Sequence, residues 1–462
     1  MELAFLPAIE QARLIRSGEL SSTELVQLYL ERIDELDPEL NAFVTVCGEE
    51  ALADARESDS RDGDAPFRGV PIAIKDLTPT AGIRTTFSCR GFADNVPDFD
   101  TAVVRRIREA GFVVVGKTNT PEFGTTAFTE SELNGATRNP WNRELTPGGS
   151  SGGAAAAVAA GLVPLAHGSD GGGSIRIPAS CCGLFGLKPS RGRVSSAPFP
   201  SLEGLSTAGP ISRSVVDAAA LLDVLAGYEP GDPWWTPPPE QPFADEVRAE
   251  PGRLRVGVTS DPPVAASVHP DCSAALSAAA ALLEDLGHDV ADASPPWAEP
   301  GLIDAFITVW QVGPTLYPVD PDTLTPLNRE LADLARATPA AEYAAAVAYL
   351  QTAARRIVSS WKQFDVVLTP TLALPPVPIG WQLEGASGAL DQLRRNTEFT
   401  PFTAVANLTG LPAMTLPLYW SSDGLPIGVQ VFGAPAGEAR LIRLGAQLEE
   451  ARPWREIRPP LS

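Results

Sequence analysis

Histidine is close to absent from this chain. There are three, His167, His269 and His288, in 462 residues, and none falls in the last 174 positions. An α/β-hydrolase places its catalytic histidine after the serine and the acid, so a Ser-His-Asp triad is not expected. The HExxH and paired Cys-x-x-Cys spacings of zinc sites are also missing; neither a metal nor another cofactor is expected. Five cysteines (Cys47, Cys89, Cys181, Cys182, Cys272) are too few for a disulfide framework in so long a chain. The adjacent Cys181 and Cys182 sit in an apolar Ala-Ser-Cys-Cys-Gly-Leu-Phe stretch and read as buried packing. Positive charge is in deficit, 35 basic against 57 acidic residues for a net charge of -22. Such a field repels phosphate backbones and anionic lipid, so nucleic-acid and membrane partners are not expected. No apolar run approaches a transmembrane span, and the N-terminus lacks the basic start and apolar core of a signal peptide. The reading is a cytoplasmic protein, with monomer and homodimer both open.

What is present is ordinary for a globular protein, 44% apolar and 20% charged residues. Strand and helix patterns alternate along most of it. Ser21 and Glu24 form a capping-box signal ahead of Leu25, Leu28, Tyr29, Ile33 and Leu36 on one helical face, with Pro38 expected to close the helix. A polar loop (57–64) precedes the apolar strand Gly69-Val-Pro-Ile-Ala-Ile, which ends at Lys75. Helices are expected at 101–110, 154–160, 214–227, 272–286 and 441–450, and strands at 112–115, 162–167, 254–258 and 365–369. No internal repeat is visible. Residues 229–252 hold seven prolines and read as an extended surface excursion. The expected fold is α/β: a single large α/β/α layered domain over 1–462 with a central mixed, mostly parallel twisted sheet between helices.

Two motif matches fail on context. Gly111-Phe-Val-Val-Val-Gly116-Lys117-Thr118 fits GxxxxGK[ST], but its middle residues read as a strand, which cannot wrap a phosphate, and Pro121 falls where the helix should run. Gly148-Gly-Ser150-Ser-Gly152 fits GxSxG, yet no strand pattern precedes it. His167, at the end of a short apolar strand, reads as a hydrogen-bonded core histidine.

Two serine-glycine clusters remain: Gly148-Gly-Ser150-Ser151-Gly-Gly153 and Ser169-Asp170-Gly171-Gly172-Gly173-Ser174-Ile-Arg176. Both are embedded among Ala, Val, Leu and Ile, unlike a solvated linker. Three glycines ahead of Ser174 allow successive N–H groups to converge on one point, as an oxyanion requires. Ser174 then needs a base. Lys75 ends an apolar strand, where desolvation lowers an amine's pKa and leaves part of it neutral.

These stretches resemble the amidase signature hydrolases. The resemblance is carried by Gly69–Asp76, by Gly116-Lys-Thr-Asn-Thr-Pro-Glu-Phe123, and by Thr137-Arg-Asn-Pro-Trp141. It continues through Pro147 to Gly161, SDGGGSIRIPAS at 169–180 and GLKPSRGRVS at 186–195, then Leu368–Leu372 and Gly424–Val431. The signature core spans about 65–227, and the likeness thins between about 229 and 360. It implies a Ser-cisSer-Lys arrangement: Lys75 as base, Ser150 as bridging serine after a cis peptide bond, and Ser174 as nucleophile. The intervals of 75 and 24 residues suit it. Gly171, Gly172, Gly173 and the Ser174 N–H would form the oxyanion hole, with Ser151, Asp170 and Arg176 as supports that do not react.

The implied reaction is hydrolysis of a carboxylic amide through a seryl acyl-enzyme. The glutaminase subunit of a tRNA-dependent amidotransferase and a non-catalytic scaffold of the same fold are the alternatives. Loops such as Gly124–Glu130 look more like free-standing bacterial amidases. The family usually reads Thr-Asp-Thr-Gly-Gly-Ser where this chain has Ser169 and Gly171; the missing side chain at 171 is expected to loosen the oxyanion loop or enlarge the pocket. Pocket side chains are expected after Phe123, in Trp310–Tyr317 and in Asn396–Asn407, with an apolar lining suited to aryl or aliphatic acyl groups.

Overall fold

Ser21 and Glu24 cap each other as the pattern implies, and the helix Ser22–Leu40 buries Leu25, Tyr29 and Ile33. Pro38 does not end it. The helix runs two residues beyond it to Leu40, and Asn41, in the left-handed region, closes it with its N–H on Asp37 O. The computed structural model describes residues 3–61, 63–293, 297–298 and 300–462. The next helix, Gly48–Ser60, takes up the first part of the expected polar loop; Asp62 of that loop lies outside the described residues.

The strands are β1 (Phe43–Val46), β2 (Pro71–Lys75), β3 (Val113–Thr118), β4 (Glu130–Ser131), β5 (Gly135–Ala136), β6 (Leu165–Asp170), β7 (Phe185–Lys188), β8 (Thr207–Ser212), β9 (Arg255–Val258), β10 (Asp289–Asp292), β11 (Val366–Pro370), β12 (Ala413–Trp420) and β13 (Pro426–Gly433). β4 and β5 form a small hairpin. The other eleven make one mixed sheet in the order β1-β3-β2-β6-β8-β7-β12-β13-β11-β9-β10. Parallel pairing occupies two flanks, β3-β2-β6 and β11-β9-β10, and the strands between them pair antiparallel.

Apolar alternation explains why both faces are covered. Ile72 and Ile74 face one core while Ala73 faces the other, and Val114 opposes Val113 and Val115. On the first face lie the helices Ala102–Glu109, Val215–Leu225, Pro270–Asp285 and Glu438–Ala451. On the second lie Gly152–Ala159 and Arg176–Cys182, with Ala340–Ser360 over the later strands.

The small residues of 146–192 are there for close approach. Every residue of the helix Gly152–Ala159 is buried, and a Cβ on Gly153 would come 2.4 Å from Asn119 N. The proline-rich excursion follows the surface, tied by Thr236 N–H to Gly192 O at 3.0 Å and anchored within its length by a buried Phe243. Among the described residues no helix is long and apolar enough to cross a membrane.

Candidate active site

Lys75 closes β2 with its side chain fully buried. Its Nζ lies 2.7 Å from Ser150 Oγ and 3.1 Å from Ser169 Oγ. Burial removes the water that would stabilise the ammonium, and this outweighs the opposing field of Asp170, so the pKa falls to about 7. A substantial share of the amine is therefore neutral near neutral pH. The Gly149–Ser150 peptide bond is cis. Gly149 passes so close under another segment that a Cβ would meet Phe128 N at 2.8 Å, which accounts for glycine there. Ser151 ties the segment to β6 through Ser169 O, at 3.2 Å from its Oγ.

Ser174 follows the glycine run, and its carbonyl accepts from Ser151 N–H at 3.2 Å, so the two serine clusters are in direct backbone contact. Ser174 lines the cleft, and its Oγ makes no hydrogen bond among the described residues. The Lys75–Ser150 contact is thus formed and the Ser150–Ser174 contact is not closed. Catalytic hydrogen bonds of a free enzyme are often long and tighten only around substrate.

Behind Ser174, Asp170 accepts from Gly173 N–H (2.8 Å), Ile175 N–H (3.2 Å), Arg176 Nε (3.0 Å) and Arg176 Nη2 (2.9 Å). Burial alone would raise this carboxyl; the Arg176 guanidinium reverses that and, with Lys188 and Asn407, takes it down to about 2. Arg176 in turn donates to Thr403 O (2.7 Å), Gln430 Oε1 (2.5 Å) and Asn407 Oδ1 (2.8 Å). The arrangement bears on the expected oxyanion donors: the Gly173 N–H is spent on Asp170, which leaves those of Gly171, Gly172 and Ser174. Gly173 itself has φ 128°, and a Cβ would lie 2.4 Å from Thr403 Oγ1, so only glycine fits.

A cavity of about 120 Å³ opens over Ser174. Its walls are Gly124–Ala127, the helix Leu302–Trp310 and residues between Leu393 and Leu408. All three expected segments reach it, the second through Trp310; Tyr317 does not line it and instead stacks on Phe123 with ring centroids 4.1 Å apart. Val264, Leu302, Ile303, Phe306 and Leu350 were not foreseen, because they come from the stretch where the resemblance thins. None of the lining side chains is charged.

Other sequence features take structural places. β3 runs straight through Gly116 and Lys117, and Lys117 Nζ is held by Thr78 O (2.6 Å), Thr85 Oγ1 (2.7 Å) and Thr80 Oγ1 (3.1 Å). His167 is fully buried, but neither ring nitrogen has a hydrogen-bond partner among the described residues. Desolvation, with Lys75 and Lys117 adding to it, lowers its pKa to about 3 and keeps it neutral; the expected hydrogen-bonded histidine is a desolvated one. Ser169 and Asn407 were not singled out as site residues. Ser169 touches Lys75, and Asn407 Nδ2 donates to Asp170 O and Oδ1, both at 2.9 Å. One signal in the sequence was available and unused: the chain has four lysines, and three of them, Lys75, Lys117 and Lys188, are buried. Among the described residues no cluster of His, Cys, Asp or Glu is placed to hold a metal ion.

Residues 24–442 match the Amidase family. The 6-aminohexanoate-cyclic-dimer hydrolase of a Pseudomonas strain is 40% identical, over 98% of this chain and 96% of that protein. The solved structure of a 6-aminohexanoate cyclic dimer hydrolase complexed with substrate superposes with a TM-score of 0.92 at 39% identity, covering 100% of both chains. A bacterial aryl acylamidase of the amidase signature enzymes gives 0.88 at 28% identity, over 97% of each chain. With the match spanning nearly its full length, the chain belongs to the amidase family and is a hydrolase of carboxylic amide C–N bonds.

Proposed function

We propose that Ser174 is the nucleophile, Lys75 the base and Ser150 the proton carrier between them, acting on amides with an uncharged, apolar acyl group. The observation that supports this most is a desolvated amine 2.7 Å from Ser150 Oγ, in a fold that places Ser174 on the lining of an uncharged cleft. Neutral Lys75 takes the Ser150 proton while Ser150 takes that of Ser174. The Ser174 oxygen bonds to the carbonyl carbon, whose π electrons move to oxygen, facing the N–H groups of Gly171, Gly172 and Ser174. When the C–N bond breaks, the proton returns from Lys75 through Ser150 to the leaving nitrogen. Water then attacks the ester by the same relay and frees the carboxylate.

The uncharged lining also weighs on the substrate. Glutamine carries an ammonium and a carboxylate, and an apolar cleft would strip both of water without pairing either, which argues against a glutaminase. The relatives described above act on a cyclic dimer of 6-aminohexanoate or are named for aryl acylamides, amides whose chains or rings suit such walls. Five free, buried cysteines agree with a reducing, cytoplasmic setting.

A panel of acyl p-nitroanilides and glutamine, given to wild type, Ser174→Ala and Lys75→Met, tests the reading. The wild type should cleave the anilides and spare glutamine. Loss of Ser174 should cost roughly a millionfold in kcat, the order seen when a serine nucleophile is removed. An active Ser174→Ala protein would refute the assignment.

A further inference from the structure

The helix Leu302–Trp310 carries Leu302, Phe306 and Trp310 into the cleft, spaced so that they share one face. Phe306 and Trp310 stack, with ring centroids 5.6 Å apart and planes 18° from parallel. The stacked pair lies on the glycine run that leads to Ser174. A Cβ built on Gly171 would come 2.8 Å from Trp310 Cη2 and 3.0 Å from Cζ3, and one on Gly172 would come 3.7 Å from Phe306 Cζ. At its other edge the indole Nε1 donates to Thr125 O at 3.1 Å. The indole is therefore held between two walls of the cleft. The side-chain space left empty by Gly171 neither loosens the loop nor enlarges the pocket: Trp310 occupies it.

We propose that Trp310 is the specificity-determining residue of the cleft, limiting the bulk an acyl group can carry beside the glycine run, and that Gly171 exists to give it room. The inference rests on Ser174 as nucleophile and adds a substrate class: amides of slim, uncharged acyl groups that lie along the indole. A methyl at 171 and the indole cannot both keep their places. Gly171 is not in the left-handed region, so alanine there meets the ring contact and no backbone strain.

The test uses acyl p-nitroanilides from butyryl to decanoyl and reads kcat/KM for wild type, Trp310→Ala, Trp310→Phe, Gly171→Ala and the Gly171→Ala/Trp310→Ala double variant. Trp310→Ala should shift the decanoyl-to-butyryl ratio by about tenfold or more, as removing pocket bulk does, with Trp310→Phe moving it less in the same direction. Gly171→Ala should cost about tenfold alone and under about threefold in the Trp310→Ala background, because contacting residues are not additive. An equal loss in both backgrounds, or an unchanged acyl ratio in Trp310→Ala, would overturn the proposal. Should Gly171→Ala fail to fold, the two Trp310 variants decide it by the ratio alone. A fluorophosphonate probe separates the two levels: no labelling of wild-type Ser174 removes the nucleophile, whereas labelling with an unmoved ratio removes only the wall.

Discussion

The site depends on an amine kept from becoming an ammonium. Lys75 titrates near 7 because it is desolvated, and in the mechanism proposed above its neutral form is the base, so kcat/KM should climb about tenfold per pH unit below 7 and level off above it; a profile flat from acid to alkaline pH would contradict this. The same shift acts on stability with a definite sign. Between about 7 and 10.5 the unfolded Lys75 is protonated and the folded one is not, so the cost of burying its charge is full below 7 and disappears as pH rises through that window. Lys75→Met should therefore be more stable than wild type at pH 6, with the gap narrowing steadily from pH 7 and closing only near pH 10.5, as urea midpoints would report. Asp170 works in the opposite direction: replacing it with Asn leaves the Arg176 guanidinium buried without its counter-charge. A loss of about 3–5 kcal/mol in urea unfolding is expected, together with lower activity as Gly173 and Ile175 lose their acceptor. That Lys75 meets Ser150, and that the two serine clusters meet each other, was legible from motif and spacing. Asn407, Thr403 and Gln430, which hold Arg176, were not, since nothing local marks a residue that acts more than two hundred positions away.

Among the elements, those with a period or a cap were read well. The capping box of Ser22–Leu40 and the apolar runs of β2, β9 and β11 fall within a few residues of expectation. The misreadings have local causes: Pro38 is tolerated near a helix end, and Glu57 to Ser60 continue a helix whose exposed polar side looks like loop. The helix Gly152–Ala159 shows what composition alone conceals. Its glycines look flexible, but Gly153 is pinned against the backbone of Asn119 and Ala42. Gly153→Ala, a helix-favouring change on propensity, should destabilise the protein by about 1–3 kcal/mol through overpacking; a raised melting temperature would show the contact to be slack.

Across the whole molecule, the sheet falls into two consecutive halves, six strands from the first 212 residues and five from 255 onward, joined where β7 pairs β12. Strand patterns predict such elements but not their order, which is set by long-range pairing, and for that reason the antiparallel centre was not foreseen. Lys75, Ser150 and Ser174 belong to the first half, and Trp310 and the 393–408 wall to the chain beyond the excursion. One apolar core spans both. We propose that they unfold as one unit, so that tryptophan fluorescence and far-ultraviolet circular dichroism give coincident urea transitions; separated transitions would mean two domains. The scarcity of lysine has a practical corollary. With Lys75, Lys117 and Lys188 sealed in the interior and only Lys362 at the surface, an amine-reactive dye or resin has one side-chain anchor on the native protein. Coupling through it should yield a uniformly oriented, still active immobilised enzyme.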